Sequence, residues 1–395
     1  MTALSGGEQV ERSPLRVLVV LAGDLKRDPE TYIKYNTFIE ALDRRFVVSG
    51  VFNAKLRGFR RILNAIPVWH PNWRTWSERA SKSVSAFAAR SQKASRWVRS
   101  MRGQADAVIQ LGVLFDSSWS GMEIPTIIYT DYTARLSARR RDAGRSPLKG
   151  PALMRWFELE EAAMKKSAHV SVRSQLVRRS MLEDYGLSAR QVSVIGGGVN
   201  LEFFPAWRPR PQNKPPTVLF IGLDYYRKGG DLTLQAFSIA RQAVPEAQLL
   251  FVTADPIPRD MSLNGVKVIP PVWDRQALAR LYEQADVFVL PSRLETWGDV
   301  LLEAMAYGLP CIGVNGQSME EIIRHNETGF LVPPEDVPSL AQALTDLLVN
   351  YEMRARMSLA GYNLVAAEFT WDHVVARLAP IINRAVEQNR LQGER

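Results

Sequence analysis

Short apolar runs recur along the chain, each followed by a polar loop and a stretch of helical spacing. In the first half they fall at residues 16–22 (RVLVVLA), 46–52, 106–110 (DAVIQ), 126–130 (TIIYT), 170–172 and 191–195. In the second half they fall at residues 217–221 (TVLFI), 249–253, 266–269, 285–290 (ADVFVL) and 311–314. Near-continuous apolar runs of this length read as strands buried on both faces, as in a parallel sheet. Residues 31–42 predict a helix with Ile33, Phe38, Ile39 and Leu42 inward. Further helices are expected over 157–166, 175–185, 277–284, 338–350, 351–368 and 372–389. Strands alternating with helices define an α/β chain with doubly wound parallel sheets. Residues 207–216 (WRPRPQNKPP) are proline-rich and without period, and so read as a linker between two such units.

One stretch organises the second unit. Residues 291–310 (PSRLETWGDVLLEAMAYGLP) connect the run 285–290 to the run 311–314. The loop 293–298 feeds a helix carrying Val300, Leu301, Ala304 and Met305 at helical spacing, stopped by Gly308 and Pro310. Ligands of open parallel sheets sit at the carboxyl ends of the strands, against helix N-termini. A helix N-terminus offers free N–H groups and partial positive charge, which suit a phosphate. Gly298 lets the backbone approach a ligand closely, while Glu295 and Glu303 can accept from sugar hydroxyls. A molecule that is part phosphate and part sugar fits both features.

Two glutamates eight positions apart, with glycine between and Leu-Glu-Ala-Met-Ala-x-Gly-x-Pro behind, resemble the donor-site motif of the retaining glycosyltransferases of family four. The resemblance is strong from about residue 217 to 334 and weaker before 196. It implies the GT-B fold: two Rossmann-like domains facing a central cleft. The boundaries then expected are a disordered tail over 1–13, an acceptor-side domain over 14–206, the linker 207–216, a nucleotide-sugar-binding domain over 217–370, and a helix over 371–395 crossing back to the first domain. The implied activity is that of a hexosyltransferase-type enzyme, moving a sugar from a nucleotide-diphosphate donor to a saccharide, lipid-linked or small-molecule hydroxyl with retention. Arg227 and Lys228 would stabilise the leaving diphosphate, Glu295 would hold the sugar, and Glu303 would accept from the ribose. Gly222, Thr296, Trp297, Gly298, Asp299 and Val300 would line the donor, with Pro271 and Val272 at the nucleobase. Asp131 stands where the family often has a His-Asp pair, although Thr130 replaces the histidine. Three further departures are a Gly23-Asp24-Leu25-Lys26-Arg27 loop without the usual glycine pair, Leu223 and Asp224 where an arginine is common, and Arg227 in its stead. The segment Gly196-Gly197-Gly198-Val199-Asn200 resembles the one that closes the first domain near the cleft. No cofactor and no metal are expected.

Charge adds a second theme. The net charge of +9 is uneven: residues 1–200 carry 32 Lys or Arg and 18 Asp or Glu, and the remainder 18 and 23. Residues 55–102 hold twelve basic residues, one acidic residue (Glu78) and Trp69, Trp73, Trp76 and Trp97. Such a segment suits an anionic membrane surface or acceptor, or else a solvated helical face with the tryptophans in the core. No apolar run is long enough to span a membrane, and no apolar signal region opens the chain, so the expectation is a cytoplasmic protein that can sit peripherally on a membrane's inner face. The single cysteine, Cys311, excludes an intrachain disulfide. Two other classes remain open: a nucleotide-sugar epimerase of the same fold, and a non-catalytic protein for anionic polymers. Nucleic acid is not an expected partner, because the donor motif is complete.

Overall fold

The computed structural model describes residues 14–121, 123–140, 148–212 and 214–393. The expected tail over 1–13 lies outside them. The first unit runs β1 (Arg16–Leu21), α1 (Pro29–Arg45), β2 (Val47–Asn53), α2 (Gly58–Ala65), α3 (Trp73–Ser81), α4 (Val84–Ser100), β3 (Ala107–Leu111), β4 (Thr126–Thr130), α5 (Ala134–Arg139), α6 (Gly150–Lys166), β5 (His169–Val172), α7 (Gln175–Glu183) and β6 (Val192–Val194). Its six strands form one parallel sheet in the order β2-β1-β3-β4-β5-β6. The second unit runs β7 (Thr217–Ile221), α8 (Gly230–Ala243), β8 (Gln248–Val252), β9 (Val266–Ile269), α9 (Arg275–Gln284), β10 (Val287–Val289), α10 (Asp299–Ala306), β11 (Cys311–Val314), β12 (Gly329–Val332), α11 (Val337–Val349), α12 (Tyr351–Glu368) and α13 (Trp371–Gly393). Its sheet, also six-stranded and parallel, has the order β12-β11-β10-β7-β8-β9.

Helix α8 and strand β12 carry no clear signal in the apolar pattern. Leu232, Leu234, Ala236, Phe237 and Ala240 of α8 are all buried, with α11 packed beside the helix, while Gln235, Ser238, Ile239 and Gln242 stay exposed. Ile239 stands on the exposed side, which blurs the one-sided stripe by which helices are read. The proline-rich segment 207–212 has no regular structure but is tied to the second unit. Trp207 Nε1 donates to Ser358 Oγ at 3.0 Å, and Arg210 Nη2 donates to the carbonyls of Tyr282 (3.1 Å) and Tyr307 (2.6 Å).

The last helix, α13, returns to the first unit. Val374, Val375, Leu378, Ala379 and Ile382 are buried in one cluster with Val17, Val19, Ile109 and Ile127 of the first sheet. Trp371 begins this helix and anchors it. Its ring lies 5.0 Å from Phe38 and 6.4 Å from Tyr129, centroid to centroid, and its Nε1 donates to Asn200 Oδ1 at 3.0 Å. Truncating a buried aromatic costs about 3–5 kcal/mol through lost transfer energy and an unfilled cavity. Trp371→Ala is therefore expected to lower stability by about that amount, read as a shift of the urea midpoint. An unmoved midpoint would show that α13 is not anchored by this residue.

Candidate active site

A crevice opens in a parallel sheet where successive connections leave in opposite directions. In the second sheet that point lies between β7 and β10, and in the first between β1 and β3. The segments after β7 and β10 meet at very short range. A Cβ on Gly229, whose φ is +74°, would stand 2.2 Å from the carbonyl oxygen of Pro291, so only glycine fits. Gly222 lies close to Lys228 in the same way, its own would-be Cβ 2.7 Å from the Lys228 Cβ. Arg293 fastens the two segments. Its N–H donates to the Arg227 carbonyl at 2.8 Å, and its guanidinium grips both oxygens of Asp231 at 2.7 Å each. Gln317 and Ser318 hold the loop from behind, Gln317 Nε2 donating to the Ser292 carbonyl (2.8 Å) and Ser318 Oγ to that of Glu295 (2.8 Å).

Within this frame the two predicted cations take different positions. Arg227 is buried, with Nε on Asp224 at 3.1 Å and Nη1 on the Leu294 carbonyl at 3.3 Å, so it braces the loop. Lys228 forms an ion pair with Glu295 Oε2, which Ser292 Oγ also approaches at 3.3 Å. One ion pair thus spans the ends of β7 and β10 at the crevice.

Helix α10 starts at Gly298, in the left-handed region at φ +111°. Its first turn faces the other unit. Asp299 accepts from Arg173 Nη1 at 2.7 Å, and Ser174 Oγ donates to the Thr296 carbonyl at 2.9 Å. Arg173, almost fully buried at the end of β5, lies over the rings of Tyr129 (5.5 Å) and Trp371 (5.4 Å). Burial opposes its charge, but Asp299, Tyr129 and Asp131 outweigh that and hold its pKa above the ordinary value. Trp297 is buried, its ring 6.1 Å from Phe369. Val300 packs partly buried on the second core.

Glu303 is buried one turn further on. Tyr282 Oη donates to its Oε2 at 3.0 Å and Arg275 Nη1 reaches its Oε1 at 3.3 Å. Burial raises its pKa above the ordinary carboxylate value, against the pull of Arg275. Arg275 also donates to the Asn200 carbonyl, so it roofs Glu303 and reaches the first unit. Pro271 and Val272 follow β9 half-buried, leading to the exposed Trp273. Across the cleft, Asp131 at the end of β4 pairs with Lys34 Nζ at 2.9 Å. Lys34, Arg27, Asp28, Lys55 and Trp273 line a cavity of about 550 Å³ between the units. The segment 196–198 is not a loose linker: Cβ atoms on Gly197 and Gly198 would lie 2.6 Å from Trp297 and from Trp371, respectively.

Sequence reasoning missed Arg173, Arg275, Lys34 and Gln317. The signal for the first was an arginine directly after the apolar run 170–172. The other three lie on helix or loop surfaces where a lone polar residue carries no positional signal. Among the described residues no group of three His, Cys, Asp or Glu side chains forms a metal-binding cluster.

This arrangement has known counterparts. Residues 205–364 match the model of the family glycosyl transferases group 1. Over 225 residues the chain is 28% identical to a GDP-mannose-dependent alpha-(1-6)-phosphatidylinositol monomannoside mannosyltransferase of Mycobacterium tuberculosis, covering 49% of this chain and 58% of that protein. Over 215 residues it is 32% identical to a phosphatidyl-myo-inositol mannosyltransferase of Mycobacterium leprae, covering 52% of this chain and 56% of that one. The chain thus spans little more than half the length of these two relatives. Among solved structures, a sucrose-phosphate synthase from Thermosynechococcus elongatus superposes with a TM-score of 0.68 at 20% identity, covering 94% of this chain and 98% of that one. The two parallel sheets and their flanking helices are the GT-B fold.

Removing Asp299 strands the buried Arg173 cation. Breaking a buried pair costs about 3–5 kcal/mol; since Asp299 is partly solvated, Asp299→Ala is expected near the lower end, about 3 kcal/mol. Chemical denaturation checks this, and a loss below measurement error would show that the pair does not couple the units.

Proposed function

We propose that the protein is a glycosyltransferase that moves a sugar from a nucleotide-diphosphate donor to an acceptor hydroxyl with retention at the anomeric carbon. The observation that carries this reading is the Lys228–Glu295 pair at the switch point of the second sheet. A donor brings what each partner otherwise supplies to the other: anionic phosphate for Lys228 and hydroxyls for Glu295. Lys228 then stabilises charge building on the leaving diphosphate, in a site where little reorganisation is needed. Arg227 supports it by fixing the loop, and the N-terminus of α10 adds partial positive charge. These groups handle the diphosphate without a metal. Glu303, beneath Arg275, accepts from the ribose. No side chain is assigned as a nucleophile: the departing phosphate assists attack on the same face. The family match over 205–364 and the relatives' names support the donor half of this reading. The acceptor enters from the side of Asp131 and Lys34, and is a saccharide, lipid-linked or small-molecule hydroxyl.

A thermal-shift screen of nucleotides and nucleotide sugars tests the donor directly, since a ligand of the folded state raises stability by RT ln(1 + [L]/Kd). Donor turnover that requires no acceptor would instead indicate an epimerase. Lys228→Ala should lower transfer by on the order of 10²–10³-fold, by analogy with removal of a transition-state donor. Unchanged turnover in a folded variant would overturn its role. Glu295→Gln and Glu303→Gln should differ: the first should chiefly damage turnover and sugar discrimination, the second the affinity for free nucleoside diphosphate. Calorimetry with that nucleotide decides, and equal losses would contradict the assignment.

A further inference from the structure

The segment that concentrates the first unit's positive charge also exposes an apolar stripe. Phe59, Ile62, Leu63 and Ile66 recur at i, i+3, i+4 and i+7 through α2 and the turn after it, which places them on one side of a helix. Such a stripe ordinarily turns toward the core. Here it faces outward, the four residues being 71%, 56%, 50% and 61% exposed. Trp69 and Trp73, each 65% exposed, add to the outward aromatic surface of the same segment. The segment is nevertheless held in place. Ala65, the last residue of α2, is buried, Trp76 Nε1 donates to the Ala65 carbonyl at 2.8 Å, and the Trp73 ring meets Trp76 edge-on at 5.2 Å.

Exposed Arg57, Arg60 and Arg61 flank the stripe. Glu78 is the only acidic residue among the twelve basic ones of 55–102. The segment is also tied to the cleft. Arg57 pairs with Asp24 and Lys55 with Asp28, on the loop between β1 and α1, and both Lys55 and Asp28 line the interdomain cavity. Lys93 of α4 fixes the approach to α2 from below, its Nζ donating to the carbonyls of Asn53 (2.7 Å) and Lys55 (3.1 Å).

We propose that the outward face of α2 and the following Trp69–Trp73 turn is a docking surface for an anionic lipid bilayer, seating the mouth of the cleft at the headgroup layer. A single apolar anchor or a single basic patch binds a membrane only marginally, whereas the two together give stable, reversible attachment. Tryptophan favours the headgroup zone, and arginines beside an inserted apolar stripe meet anionic headgroups. The charge sign selects the occupant, because a neutral apolar partner would offer Arg60 and Arg61 no counter-charge. The consequence for the reaction, that the acceptor is lipid-linked and met at the surface, rests on the glycosyl-transfer reading; the docking does not. No helix among the described residues is long and apolar enough to cross a membrane, so attachment through this face is peripheral.

Co-sedimentation of the full chain with phosphatidylcholine vesicles, with and without phosphatidylglycerol, tests the proposal. Binding is expected only with the anionic lipid and should fall with added salt. Ile62→Asp combined with Leu63→Asp should lower partitioning at least tenfold. Arg60→Gln combined with Arg61→Gln should lower it by up to about thirtyfold, taking the contribution of each charge near an anionic surface. All four positions are exposed, so the variants keep the fold, which circular dichroism verifies. No sedimentation with anionic vesicles at low salt, or variants that sediment like the unmodified protein, would overturn docking. So would a dimer that the aspartate variant dissociates while vesicles go unbound, which would assign the stripe to a second copy. The nucleotide-induced thermal shift, measured on the same samples, separates the two ideas: vesicle binding without any nucleotide shift upholds docking and contradicts the transferase reading.

Discussion

The structure around the crevice depends on how closely two loops approach at the ends of β7 and β10. Their backbones meet where Gly229 lies under the Pro291 carbonyl, at a distance that no side chain could share. Arg293 then ties Arg227 to the second loop and clamps Asp231, so the loops behave as one unit. Lys228 and Glu295 are brought together by this frame and, in a largely dehydrated site, satisfy each other. Burying two charges is costly unless both are paired. A ligand that replaces this pair must therefore offer an anion to one partner and donors to the other, and a nucleotide sugar does both.

The two units are coupled by the same economy of buried charge. Arg173 reaches across to Asp299 at the start of α10, and Arg275 reaches back to the Asn200 carbonyl while covering Glu303. Three glycines let Trp297 and Trp371 pack against the chain between these contacts. The elements that hold the loop after β10 therefore also touch the first unit.

Most strands were legible because a parallel sheet buries both faces, and the runs 126–130, 217–221, 266–269 and 311–314 match β4, β7, β9 and β11 to the residue. Helix α8 was not, since an apolar residue, Ile239, on its exposed side blurs the one-sided stripe. The loop 293–298 and helix α10 could be placed from spacing alone, yet what their side chains touch could not. The resemblance puts Trp297 and Asp299 in the donor lining; the structure adds that the first is buried and that the second pairs with Arg173. The Asp299 contact comes from the other unit, 126 residues away in the chain, where local pattern carries no information. The tryptophans of 55–102 divide between the two readings their composition allowed. Trp97 stacks on Phe52 at 4.8 Å, while Trp69 and Trp73 stay exposed.

A crystal structure with a bound nucleoside diphosphate tests the central claim most directly. The expected density places the β-phosphate within hydrogen-bonding reach of Lys228 Nζ and the helix α10 N-terminus, with the ribose toward Glu303 and the Lys228–Glu295 pair broken. A diphosphate bound elsewhere, with that pair intact, would contradict the assignment of the site.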